Sequence, residues 1–114
     1  MKIQLIKSVE IDDKGNEKIT DSTTYFSKKR LRGSELQRNL SIGNAVDKIV
    51  KENGLNEEAI DLMCDYICEY FGNQFTKEEF LDGTYLENIL PTYQKISEEI
   101  ANRYLMKVQE TIKN

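Results

Sequence analysis

Apolar residues alternate with polar ones along residues 2–11, where Ile3, Leu5, Val9 and Ile11 fall mostly two apart and the alternation slips around Ile6. That period predicts a half-buried strand. The run Asp12-Asp13-Lys14-Gly15-Asn16 reads as a turn. Residues 18–26 return to extended chemistry, with Ile19, Thr20, Thr23, Thr24, Tyr25 and Phe26 β-branched or aromatic. Together they predict a β-hairpin. A lone hairpin is marginal in water, so it must pack against the rest of the chain.

From Ser34 the period changes. Leu36, Leu40, Ala45, Val46, Ile49 and Val50 sit at helical spacing, with Gly43 expected to divide two pieces and Gly54 to take the left-handed position after the C-terminus. Asn56 is a good N-cap, followed by Glu57 and Glu58, and Leu55 is placed to staple onto Ile60. This helix carries Ile60, Met63, Cys64, Ile67, Cys68 and Phe71 and is expected to end at Gly72. Thr76 and Glu79 then spell a capping box, with Phe75 and Phe80 at the staple positions, opening a short helix that stops at Asp82-Gly83. Thr84 and Glu87 repeat the box and predict another turn or two, ending near Asn88-Ile89.

Pro91 suits the first position of a last helix, where its missing N–H has no intrahelical partner. The apolar stripe there is Tyr93, Ile96, Ile100, Ala101, Tyr104, Leu105, Val108 and Ile112. The predicted fold is mainly α with a small N-terminal hairpin (α+β): four to five helices, the last one long. With 114 residues and no linker or repeat, the chain reads as a single domain over 1–114, a hairpin region at 1–27 and a helical region at 33–114.

Composition removes most catalytic chemistry. The chain has no histidine, which excludes Ser-His-Asp and Cys-His pairs and His-containing zinc sites. Two thiols, Cys64 and Cys68, make at most half a structural metal site and read as buried core. Adjacent Glu pairs diverge by about 100° on a helix and cannot aim at one substrate. Asp61, Asp65 and Glu69 share a face but lack a compact calcium loop. No phosphate-cradling glycine motif occurs. No enzyme, metal or cofactor is expected. No apolar run approaches the ~20 residues of a membrane helix, so a cytoplasmic protein without membrane contact is expected.

Charge is uneven. Residues 1–38 carry nine Lys/Arg against six Asp/Glu, whereas residues 39–114 carry seven against fourteen. The excess lies in Lys28, Lys29, Arg30, Arg32 and Arg38, with Glu35 opposing them. Lys28, Lys29, Arg30 and Arg32 are therefore candidates for electrostatic contact, with a protein partner ahead of nucleic acid, because no reading helix or base-stacking motif accompanies them. Aromatics crowd residues 66–93. Most are expected in the core, and exposed members among Tyr70, Phe71, Phe75, Phe80, Tyr85 and Tyr93 are candidate partner contacts.

The stretch YFGNQFTKEEFLDGTYLENILPTYQKI, residues 70–96, resembles the C-terminal motif of tail assembly chaperones from long-tailed phages and prophages of Gram-positive bacteria. The matching positions are Phe71, Gly72, Gln74, Phe75, Thr76, Glu79, Leu81, Asp82, Gly83, Leu90 and Pro91. The resemblance implies a non-enzymatic protein that binds the tape measure protein, keeps it soluble and helps recruit tail tube subunits. It transfers no catalytic residues, and its motif positions map first onto caps, staples and turns. The stripe of the last helix also offers a surface for homo-oligomerisation. Competing readings are a small helical protein-interaction adaptor and a nucleic-acid-associated regulator using residues 28–38.

Overall fold

The computed structural model describes residues 1–28 and 30–113, with side chains described through residue 105; Lys29 and the side chains of Val108 and Ile112 lie outside the described residues. Strand β1 (Lys2–Ile11) pairs antiparallel with β2 (Glu17–Phe26). Asp12 closes the turn by accepting from the backbone N–H of Lys14 and Asn16, at 2.9 and 2.8 Å. Gly15 supplies the positive φ of 82°. The slip in alternation near Ile6 is a real irregularity in the ladder. Register shifts flank Ser8, so that Lys7 and Thr20 have no ladder partner and the two shifts compensate.

After the hairpin come four helices: α1 (Gly33–Asn53), α2 (Glu57–Tyr70), α3 (Lys77–Asp82) and α4 (Leu86–Lys113). Helix α2 is central, packing against α1, α3 and α4. Its buried residues run from Ala59 through Met63, Cys64, Tyr66, Ile67 and Cys68 to Tyr70. At about 100° per residue they cover roughly 200° of its circumference, more than a one-sided amphipathic helix buries. Its start is the predicted one: the Asn56 side chain accepts from Ala59 N–H at 3.0 Å. It ends at Tyr70, two residues before the predicted stop. Gly72 (φ 70°) and Asn73 (φ 56°) turn the chain, and Gly72 and Asn73 N–H donate back to the Glu69 and Cys68 carbonyls. That is a Schellman closure.

Three expectations are corrected. Gly43 does not divide α1, which runs unbroken for 21 residues; a single glycine costs a helix only about 1 kcal/mol, and the burial of Ile42 and Val46 on either side holds it. Gly54 has the expected positive φ (74°) but an extended ψ (−174°), so the closing geometry is not left-handed helical. Leu55 is 59% exposed, so the expected staple onto Ile60 leaves most of its side chain in solvent.

The fourth correction is at the start of α4. The expected short helix ending near Asn88-Ile89 does not exist; one helix begins at Leu86 and passes through Pro91. The Thr84–Glu87 box does not form, because Thr84 lies one residue too early and its buried hydroxyl finds no partner among the described residues. Tyr85 occupies the preceding position, its carbonyl accepting from Asn88 N–H at 2.9 Å. Pro91 removes the one bond that would reach the Glu87 carbonyl. Thr92 satisfies the next carbonyl, Asn88, through its hydroxyl at 2.6 Å. Burial of Tyr93, Ile96 and Ile100 on α2 holds the rest.

The hairpin meets the helices through the half away from its turn. Leu5 is its one fully buried side chain, and Ile6 N–H donates to the Gly83 carbonyl at 2.9 Å. A Cβ on Gly83 would come within 2.9 Å of the Ile6 oxygen, the Glu79 oxygen and Leu5 Cβ. Gly83 is thus required by contact, its φ of −95° being open to any residue. Gly83→Ala is expected to lower the unfolding free energy by about 1–3 kcal/mol in a urea titration. Gly72→Ala, strained by its positive φ instead, should cost about 1 kcal/mol.

Candidate functional site

The Gln74-Phe75-Thr76 step divides its labour among three side chains. Gln74 Nε2 donates to the Phe26 and Phe71 carbonyls at 2.8 and 2.7 Å. Phe75 lies 5.0 Å from Tyr25, 5.6 Å from Phe71 and 6.2 Å from Phe80, centroid to centroid. Thr76 caps α3: its hydroxyl accepts from Glu79 N–H, and Glu79 accepts from Thr76 N–H, both at 3.1 Å. The predicted box and staple are both present. Glu79 also pairs with Lys7 at 3.0 Å. Lys7 and the Thr76 N–H hold its carboxyl below the usual range, a contribution present above the ordinary value of 4.5 and lost as pH falls.

Of the six rings expected as partner contacts, five are occupied in the core. Phe80, Phe71, Phe75, Tyr70 and Tyr93 range from 0% to 8% exposed, and Tyr85 is 37% exposed. The remaining motif positions are structural or peripheral. Leu81 packs against the core, Asp82 ends α3 at the surface, Leu90 is 41% exposed and Pro91 lies on the outside of α4. Most of the apolar surface left outward is elsewhere, at Ile11, Phe26, Leu40, Leu55, Leu86, Tyr104 and Leu105 among others.

Cys64 and Cys68 are free and buried. Burial pushes both thiols up to about 11. Nearby Asp61 pairs with Lys77 at 3.6 Å, and Glu69 takes Arg38 through two bonds of 3.0 Å. The acidic face of α2 is therefore largely neutralised within the chain. No cluster of three metal-ligating side chains occurs among the described residues.

The basic segment meets the last helix. A groove of about 1310 Å³ opens between the start of α1 and α4. Lys28, Arg30 and Arg32 border it on the segment entering α1, Arg38 on α1 itself and Arg103 on α4; Leu31, Leu36, Ile100 and Tyr104 supply its apolar lining. Two acidic residues, Glu35 and Glu69, oppose the five cations. Glu35 is engaged by Lys28 at 2.6 Å and by the Arg32 N–H, which fastens the first turn of α1. Glu69 is engaged by Arg38. Ser97 on α4 donates to Asn39 on α1 at 3.1 Å, bracing the two walls. Sequence reasoning found the cations but not Ile100 and Arg103 across the groove from them, since only packing brings that segment to face α4. Lys29 lies outside the described residues.

A protein family described as phage tail chaperone protein matches the chain over residues 4–113, from within β1 to the end of α4. No curated protein and no solved structure matches it.

Because the folded state keeps thiol protons that the unfolded chain releases above pH 9.0, stability from Cys64 and Cys68 is full below that pH. It declines as pH rises towards 11. At about pH 8 a thiol reagent should modify neither cysteine in the native protein and both in denaturant; rapid native labelling would contradict their burial.

Proposed function

The chain belongs to the phage tail chaperone family, and we propose that it binds the tape measure protein, keeps it soluble and helps recruit tail tube subunits, acting non-enzymatically in the host cytoplasm. The match across residues 4–113 carries this reading. The surface chemistry supports it. A chaperone for a long client needs apolar contact area on a well-solvated body. Tyr104 and Leu105 are 54% and 53% exposed on α4, next to the apolar lining of the groove. No helix among the described residues is long and apolar enough to cross a membrane.

The contact surface in this proposal is the groove with Tyr104 and Leu105; Tyr85, beside Glu17 at the other end of α4, is a separate candidate contact. The buried rings Tyr70, Phe71, Phe75, Phe80 and Tyr93 act behind it by fixing α2, α3 and α4. The same exposed stripe on α4 would serve a second copy of the chain, and size measurement of the purified protein reports that outcome.

Co-expression of the tape measure protein with and without this chain is the direct test, scored by soluble fraction and co-purification. Rescue with a stoichiometric complex is expected. The double variant Tyr104→Ser/Leu105→Ser should keep its fold by circular dichroism and bind the client about tenfold more weakly, the scale of losing an apolar contact worth about 1–2 kcal/mol. No rescue by the folded wild-type chain would leave a helical adaptor with another client.

A further inference from the structure

The groove between α1 and α4 has a composition that selects among clients. The protein as a whole is acidic, with a net charge of −4. This groove nevertheless concentrates the opposite sign, and the two carboxylates bordering it are already committed to Lys28 and Arg38. Arg30 and Arg32 have no ion pair among the described residues, and both are exposed. Between these cations lies an apolar lining in which Ile100 and Tyr104 are one helical turn apart.

We propose that this groove docks an acidic amphipathic helix of the client, its apolar stripe against Leu31, Leu36, Ile100 and Tyr104 and its carboxylates against Arg30 and Arg32. The inference deepens the client-binding reading and rests on it. Three features argue for this occupant. Two of its walls are the helices α1 and α4, so an inserted helix completes a local three-helix packing of the ordinary kind. The volume is of the right order: a helix about 10 Å wide would fill 1310 Å³ over about 17 Å, or about three turns. The charge is complementary, since a cationic rim beside an apolar centre steers and orients a segment that carries carboxylates beside its apolar stripe. A nucleic acid would use the same cations but leave the lining without a partner.

The choice of anion comes from the guanidinium groups. Arginine presents a planar fork that takes a carboxylate through two parallel bonds, the geometry already formed by Arg38 and Glu69 on the same rim. Rim charges of this kind govern selectivity and association rate more than total affinity. The partner should therefore be read by charge pattern on an apolar helix rather than by one deep anchor.

The test uses the full chain and two labelled peptides of about 14 residues, enough for about four turns. Both carry leucines at helical spacing; one has glutamates beside the leucines and the other has lysines. A duplex DNA of similar charge serves as the third probe, and fluorescence anisotropy reads binding at low and high salt. The wild-type chain should bind the glutamate peptide at least about tenfold more tightly than the lysine peptide or the DNA. Arg30→Glu/Arg32→Glu should reverse the order of the two peptides, a gain that misfolding could not produce. Equal binding of both peptides, preference for DNA, or no change on charge reversal would each overturn the proposal. Co-expression separates it from the broader reading. A charge-reversed chain that rescues the tape measure protein as well as wild type overturns the groove assignment alone. A wild-type chain that takes the glutamate peptide but fails to rescue removes the tape measure client and supports the groove's preference.

Discussion

Phe75 is the side chain on which the arrangement of the other elements depends. It belongs to no helix or strand, yet its ring touches Tyr25 of β2, Phe71 at the end of α2 and Phe80 of α3. Its neighbours in sequence reinforce the same junction, Gln74 by binding the hairpin's backbone and Thr76 by starting α3. Large rings contribute by area, and a single ring shared by three elements couples their formation. Without it the hairpin would keep the Leu5 and Ile3 packing, the Ile6–Gly83 and Gln74–Phe26 bonds and the Lys7–Glu79 pair. Exposed ion pairs contribute little, about 1 kcal/mol or less.

That dependence explains why a short sequence motif is readable as a family mark. The motif reads as punctuation because several of its residues end or begin something, whereas Leu90 and Pro91 lie inside α4. Gly72 reverses the chain after α2, Thr76 and Glu79 open α3, and Gly83 admits β1. Local rules with named partners three or four residues apart are visible in one dimension. The hairpin, the α2 start, the α3 cap and the Phe75–Phe80 pair were all legible for that reason.

Where the sequence misled, two local signals competed and tertiary packing chose between them. Pro91 fits a helix start and also tolerates the second turn of a longer helix; Tyr93, Ile96 and Ile100 reward the longer one by burying on a continuous face. Gly43 reads as a break until Ile42 and Val46 are seen to be packed on both sides of it. The groove was illegible for a different cause. Its halves are about seventy residues apart, and nothing in the spacing of Lys28 to Arg38 points to Ile100 or Tyr104. The rings were the reverse case. Their crowding in sequence marked the core, and the outward apolar surface fell to residues with no comparable cluster.

The hairpin's attachment has a consequence for how the molecule moves and how it can be handled. Residues 11–20 are all exposed, and beyond the paired register shifts the two backbones pair with each other, with the Glu17 side chain reaching Tyr85. Amide protons in that distal half are guarded by a two-stranded ladder alone, so their exchange reports opening of the arm and not unfolding of the body. Protection should step up sharply at Leu5 and Ile6, where the arm enters the helices. The turn at Lys14-Gly15 is accordingly the natural site for an inserted tag or spectroscopic label, since a peptide added there meets none of the surfaces that hold α1 to α4 together.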